Sequence, residues 1–143
     1  MIVLDANLLL YAYDEDSRHH QGARLWLEAA LNGPEPVGFA WVAVLAFLRV
    51  VTHPRLARGP MTMDAAGAAV DAWLSNRNAV LLNPGGRHWT LLRELLVAGQ
   101  IRGNLTTDAH LATLALENGA TLATNDRDFS RFPKLRVSFP LQP

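Results

Sequence analysis

Short apolar segments alternate with segments of helical periodicity along the whole chain, and this alternation limits the possible folds more than any other feature. Residues 2–4, residues 37–40 and the later runs "AVLLN", "ATLAT" and "KLRVSF" have the length and apolar character of strands. Strands separated by helices usually pair in parallel. The sequence therefore predicts an α/β fold: one compact domain over residues 1–143, with a central, mainly parallel sheet flanked by helices.

Capping and helix-breaking residues mark the predicted helix ends. Ser17 is a candidate N-cap for a helix that runs to about Leu31 and stops at the sequence Asn-Gly-Pro. Residues 41–51 are apolar on almost every side, which predicts a core helix. Thr62 or Met63 begins a further helix. Residues 6–13 are either helix or loop.

Composition excludes several classes of protein. Half of the 143 residues are apolar and 18% are charged, which is typical of a globular chain and excludes a disordered one. The formal net charge is zero, so bulk charge does not decide whether nucleic acid is a partner. The chain has no cysteine, which excludes thiolate chemistry. No segment resembles a signal peptide or a membrane span, so we expect a cytoplasmic protein without membrane contact.

Aspartates follow two of the predicted strands at the point where each strand ends. Asp5 comes directly after the first apolar run, and Asp126 and Asp128 come after "ATLAT". A buried carboxylate without a partner is costly, so Asp5 requires one. Sites in open α/β sheets form in the crevice at the carboxyl ends of strands. If the two strands are neighbours, these carboxylates point into one crevice.

Each acid except Asp5 also has an ordinary structural interpretation. Asp108 lies in the first turn of a predicted helix, where the helix dipole favours an acid and Thr107 could act as the cap. Asp126 and Asp128 follow an asparagine, in a sequence typical of turns. Taken singly, these interpretations are the better ones.

Taken together, the aspartates favour a divalent-cation site. Carboxylates gathered in one crevice repel each other unless a cation neutralises them. Oxygen ligands without a histidine or cysteine cluster suit Mg²⁺ or Mn²⁺, which activate water in phosphoryl chemistry. Three other acids, Asp64, Asp71 and Glu117, are at helix positions that look exposed. His110 is better interpreted as structural than as catalytic.

Several segments of the chain resemble a known family. The segments "MIVLDANLLLYAYDED", "FLRVVTHPR", "NLTTDAHLATLALENGATLATNDRDF" and "FPKLR" are similar to those of PIN-domain ribonucleases, and within them to the VapC-type toxins of type II toxin–antitoxin pairs. These segments extend from one end of the chain to the other. The resemblance therefore implies a single PIN domain.

The resemblance also implies a set of site residues. The family has a quartet of acids around Mg²⁺ or Mn²⁺; Asp5 matches the first, Asp108 the third and Asp126 the fourth, while Asp128 is an accessory acid. Asn7 and Thr124 match small polar positions that line the site. The implied activity is endonucleolytic cleavage of RNA by a metal-activated water. The implied partners are a cognate VapB-type antitoxin and a second copy of the chain.

The second acid of the quartet is missing. Relatives of this subgroup usually have glutamate where this chain has Ala46, in "LAFLRV". A methyl group neither binds a cation nor orients water, so Ala46 predicts reduced cleavage. A deliberately inactivated variant, a natural divergent member and a misaligned helix are the three explanations; the intact pattern around Ala46 favours the first.

Other residues could contact RNA, and two further functions compete. Arg49 is the arginine we select as a phosphate ligand. Trp41, Trp73 and Trp89 could stack on bases, although core packing or a dimer face is the better interpretation. A phosphoacceptor receiver domain is disfavoured because "AVLLNP" lacks the required aspartate. A PIN-like domain that binds RNA or an antitoxin without cutting is the alternative that Ala46 keeps open.

Overall fold

The structure is a computed structural model that describes residues 1–142. Strands and helices alternate along these residues, as the sequence predicts. The elements in chain order are β1 Ile2–Leu4, α1 Ala6–Tyr13, α2 His20–Leu31, β2 Val37–Ala40, α3 Trp41–Val51, α4 Met63–Leu74, β3 Ala79–Leu82, α5 His88–Ala98, α6 Leu105–Glu117, β4 Thr121–Ala123, a 3-10 helix Arg127–Arg131 and β5 Arg136–Ser138.

The five strands form one sheet in the order β3-β2-β1-β4-β5, and every pairing is parallel. The prediction of a mainly parallel α/β sheet is confirmed. Strand β1 lies at the centre, with Ile2 opposite Val37 of β2 on one side and opposite Thr121 of β4 on the other. The strands that precede Asp5 and Asp126 are therefore direct neighbours.

Helices cover both faces of the sheet, so the protein has two hydrophobic cores. Leu4 packs into a core shared by α1, α2, α3 and α4. The adjacent residue Val3 points to the opposite face, into a core formed with α5 and α6. Trp73 anchors the first core: its ring stacks on Phe39 at a centroid distance of 5.8 Å and meets Phe47 edge-on at 4.7 Å. Trp73 therefore serves packing and is not free to stack on RNA.

Three predictions about helices are wrong. Thr107 does not cap α6, because it lies inside the first turn of that helix, which follows Asn104. Helix α2 begins at His20, because Ser17 instead closes a turn ahead of it; the Ser17 hydroxyl accepts the His19 N–H at 3.1 Å and the Ser17 carbonyl accepts the His20 N–H at 3.0 Å. Helix α3 is not buried all round, because Leu45 is 58% exposed and Trp41 46% exposed. An apolar sequence does not reveal that only one face of this helix meets the core.

Two other helix ends agree with the sequence. Thr62 caps α4 by accepting the Ala65 N–H at 3.1 Å. Helix α6 ends where Gly119 adopts a positive φ of 57°, a conformation that favours glycine. None of the helices formed by residues 1–142 is long and apolar enough to cross a membrane.

Two glycine-to-alanine changes should have opposite effects on the free energy of unfolding. An alanine Cβ at Gly38 in β2 would lie 2.8 Å from Leu82 Cδ1 and 3.2 Å from Val3 Cγ2, so Gly38→Ala should lower it by about 1–3 kcal/mol. Gly67 lies within α4 with open space around it, so Gly67→Ala should raise it by about 0.5–1 kcal/mol. Urea unfolding measures both. Equal stability of the two variants would contradict the packing around β2.

Candidate active site

Asp5 lies where β1 ends and α1 begins. Its backbone N–H donates to the Ala123 carbonyl at 3.0 Å, which extends the pairing of β1 with β4 by one residue. Its extended backbone, with ψ of 149°, ends the strand and starts α1 at the next residue. The side chain is therefore fixed at the carboxyl edge of the sheet, beside the end of β4.

Three polar side chains from the two strand ends form a closed hydrogen-bond triangle. The Thr124 hydroxyl donates to Asp5 Oδ2 at 2.6 Å, and Asn7 Nδ2 donates to the same oxygen at 2.8 Å. Asn7 Nδ2 also lies 3.1 Å from Thr124 Oγ1. Thr124 is fully buried. These contacts orient the Asp5 carboxylate, and they place Asn7 and Thr124 beside it.

The loop after β4 is organised by the same group. The Asn125 N–H donates to Asn7 Oδ1 at 3.2 Å, and the Asp126 N–H donates to Thr124 Oγ1 at 3.0 Å. Asp126 Oδ1 in turn accepts the Asp128 N–H at 2.9 Å and so caps the 3-10 helix. Asp126 is therefore held beside Asp5, whereas Asp128 is exposed and pairs with Arg131 at 3.5 Å.

Repulsion and burial raise the pKa values of two of these acids. Burial is the main cause of the raised pKa of Asp5, with the charge of Asp126 adding to it and the Thr124 hydrogen bond opposing it. Burial followed by the charges of Asp5, Asp126 and Asp128 raises the pKa of Asp108 to about 6. Asp108, in the first turn of α6, is half-buried. The four predicted acids therefore share one electrostatic environment.

The donor chemistry of this environment fits a hard divalent cation. The available groups are carboxylate oxygens, which suit Mg²⁺ or Mn²⁺. Among residues 1–142, however, no three acids or histidines are already arranged as a ligand set. The Asp5 oxygen Oδ2 accepts two hydrogen bonds, which fix the orientation of this carboxylate.

The structure places the remaining predicted residues on α3. Ala46 is half-buried, next to the fully buried Phe47, on a helix that packs against α1. Arg49 is exposed in the last turn of the helix and lines a shallow groove of about 420 Å³ with His53 and Arg55. Both lie on the helix that follows β2, the other neighbour of β1.

A second group of polar side chains connects α5 with α6, and the sequence did not reveal it. His88 Nδ1 lies 2.7 Å from Glu117 Oε2, and His88 Nε2 lies 2.9 Å from His110 Nδ1. Burial, together with the charge of His88, lowers the pKa of His110. The expectation that Glu117 is exposed is wrong, because its side chain is 12% exposed. The seven-residue spacing of His110 and Glu117 on α6 places them on one helix face and could have indicated this group.

Comparisons with known proteins agree with this architecture. A family model described as PIN domain matches residues 2–135. Ribonuclease VapC37 of Mycobacterium tuberculosis is 44% identical over 140 residues, which cover 98% of this chain and 97% of that protein. VapBC2 from Rickettsia felis, solved with a promoter DNA fragment, has a TM-score of 0.73 at 21% identity and covers 96% of this chain and 98% of its own.

A toxin–antitoxin complex from Klebsiella pneumoniae has a TM-score of 0.65 at 15% identity, with 98% of each chain covered. At these identities the two solved structures show the fold alone. The family model and the sequence relative show the family as well as the fold, because each matches nearly the whole chain. The chain belongs to the PIN-domain family, within its VapC ribonucleases.

Proposed function

We propose that this chain is the endoribonuclease toxin of a toxin–antitoxin pair and that its chemistry depends on Mg²⁺ or Mn²⁺. The observation that carries the proposal is the convergence of Asp5, Asp108 and Asp126 on one electrostatic environment at the carboxyl edge of the sheet. Such a cluster is costly without a cation. Its relative VapC37 is named a ribonuclease.

In this proposal Asp5, Asp108 and Asp126 hold the cation, and Asp128 adds negative charge at the rim. A bound divalent ion supplies a water of lowered pKa and a positive charge for the leaving oxygen. Thr124 and Asn7 keep the Asp5 carboxylate turned toward the site through their hydrogen bonds to Oδ2. The expected reaction is in-line attack of water on a phosphodiester, leaving a 5′-phosphate and a 3′-hydroxyl.

We further propose that Ala46 limits the rate. A fourth carboxylate at this position would add a cation ligand or a base that orients water. The methyl group of alanine does neither. Ala46 is half-buried, which leaves a longer side chain a route out of the packed face of α3. A missing acid of this kind reduces turnover by orders of magnitude in sites whose residues act as a unit.

The proposed substrate contact is Arg49. Its guanidinium is exposed, and His53 and Arg55 line the same groove, so an RNA phosphate could be bound there by several donors. A bidentate arginine contact would position the backbone of RNA without reading its sequence.

The proposed protein partners are an antitoxin of the VapB type and a second copy of this chain. The structural neighbour from Klebsiella pneumoniae is a toxin–antitoxin complex, which supports the antitoxin partner. Exposed apolar side chains support both: Trp89 and Val97 are 65% and 69% exposed and line one groove on α5, and Leu45 on α3 is 58% exposed. Large exposed apolar side chains that cluster commonly mark protein contacts.

The experiment that tests the function is cleavage of a mixed RNA pool by this chain with Mg²⁺, with Mn²⁺ and with EDTA. We expect slow cleavage that either ion supports and that EDTA abolishes, with 5′-phosphate products. Cleavage that is equally fast in EDTA would refute metal dependence.

The second candidate function is a PIN-like domain that binds RNA or an antitoxin without cutting. Ala46 is the specific observation that favours it. Retention of labelled RNA without any cleavage, both by this chain and by Ala46→Glu, would support this function over the nuclease.

A further inference from the structure

We propose that Gln142 is a positioning residue for the loop of Thr124, Asn125 and Asp126, and through it for the cation site. The inference rests on the proposed function for the identity of that site. Gln142 follows β5 and is separated from Asn125 by 17 residues. It touches none of the acids directly and acts on them through Asn125.

The Gln142 carboxamide donates two hydrogen bonds to Asn125. Gln142 Nε2 donates to the Asn125 backbone carbonyl at 3.1 Å and to the Asn125 side-chain Oδ1 at 3.2 Å. One amide group therefore fixes both the main chain and the side chain of the residue between Thr124 and Asp126. Gln142 Oε1 is buried and is the one side-chain oxygen or nitrogen among residues 1–142 that is buried without a hydrogen bond. The contact consequently depends on the donor half of the amide.

Asn125 connects these two hydrogen bonds to the carboxylates. Its N–H donates to Asn7 Oδ1 at 3.2 Å, and Asn7 donates to Asp5 at 2.8 Å. The next residue, Asp126, is itself one of the acids. A shift of the Asn125 backbone would therefore move Asp126 and release Asn7 together, which would disturb two carboxylates at once.

The segment that carries Gln142 is anchored independently. Leu141 packs against the core shared by α1 to α4, next to Gly22 of α2. The Gln142 N–H donates to the Phe139 carbonyl at 3.1 Å, which closes a turn. The Gln142 amide therefore contacts Asn125 from a segment that is itself anchored, as expected of a group that restrains a loop.

The test compares Gln142→Met, which keeps the length but removes both donors, and Gln142→Glu, which keeps the shape but replaces the amide nitrogen with an oxygen. Gln21→Met, at an exposed position of α2, is the matched control. Two quantities are measured in the full chain: amide hydrogen exchange at Asn125 and Asp126, and the Kd for Mn²⁺. Thermal unfolding is recorded beside them.

We expect both Gln142 variants to exchange these two amides about tenfold faster and to bind Mn²⁺ about tenfold more weakly, with Tm close to that of the parent. Mutation of residues that orient metal ligands typically changes the affinity for the metal to this extent. The control should change neither quantity. A purely structural role would instead lower Tm and speed exchange throughout the protein, which would overturn the proposal.

The outcomes separate the two proposals. Mn²⁺ binding and local exchange that are the same in parent and variants would overturn the role of Gln142 and leave the nuclease proposal standing. Faster local exchange in the variants, with no Mn²⁺ bound even by the parent, would support the role of Gln142 on the loop and overturn the cation site.

Discussion

Ala46→Glu is expected to raise the rate of RNA cleavage by about a hundredfold or more. The new carboxylate would enter α3 at a half-buried position on the helix that packs against α1, the element that Asp5 precedes. It would complete the quartet of acids, bind the cation more tightly and orient the attacking water. In the proposed quartet the same change brings a fourth negative charge to the other carboxylates, so the variant should be less stable than the parent when no divalent ion is present.

The measurement is single-turnover cleavage of a labelled RNA pool at saturating Mn²⁺. Ala72→Glu makes the same chemical change at an exposed position of α4 and should leave the rate unchanged. A rate for Ala46→Glu that equals that of the parent would show that position 46 is not the missing acid. The nuclease proposal would then depend on the other three carboxylates alone.

Adding Asp108→Asn to the Ala46→Glu variant is expected to reduce its rate of RNA cleavage by about a hundredfold. The Asp108→Asn change is also expected to make the metal-free protein more stable. Asn has no charge to attract the cation, so the Kd for Mn²⁺ should rise. The stability gain has a separate cause. Burial and three neighbouring carboxylates raise the pKa of Asp108 from 3.8 to about 6, so its ionised form is destabilised in the folded protein.

The raised pKa of Asp108 determines how the stability of the protein depends on pH. The effect is clearest when Asp108→Asn is introduced without Ala46→Glu. Between pH 3.8 and about 6 the folded protein binds a proton that the unfolded chain has released, so the stability of the parent falls as the pH rises through this range. Asp108 is half-buried, and solvent screening reduces the roughly 3 kcal/mol of the full shift to about 1 kcal/mol. The variant should therefore gain about 1 kcal/mol above pH 6 and nothing below pH 4.

Urea unfolding at pH 4 and pH 7.5, without divalent ions, measures this difference. Asp71→Asn, at an exposed position of α4, is the control and should shift neither stability nor cleavage. If Asp108→Asn were less stable than the parent at pH 7.5, the carboxylate would be serving the fold, and its assignment as a cation ligand would lose its main support.

Most of the architecture could be predicted from local patterns. The strand β1 and the helix α4 are encoded by a short apolar run and by a threonine cap, and both lie where the sequence places them. The start of α2 could not be predicted, because the Ser17 hydroxyl can cap a helix or close a turn with equal local chemistry. The exposed face of α3 could not be predicted either, since burial depends on which elements pack against it.

The candidate site shows the same division. Strand ends predicted Asp5 and Asp126, because a parallel sheet brings its carboxyl ends to one edge. Asp108 alone looked like an ordinary first-turn acid, and only the structure places it within the electrostatic reach of the others. The spacing of His110 and Glu117 could have indicated their shared helix face. Nothing in the sequence predicts the contacts of Glu117 with His88 and of Gln142 with Asn125, which are 29 and 17 positions apart.

The central position of β1 has a consequence for how the protein is made. Asp5 is translated 119 positions before Thr124, whose hydroxyl orients its carboxylate. Chains assemble such long-range pairings late, since the intervening loop must close first. The carboxylate cluster therefore cannot form on a nascent chain until β4 has been translated. Any activity that needs the assembled carboxylates would therefore begin only after Thr124 has been translated and β4 has paired with β1.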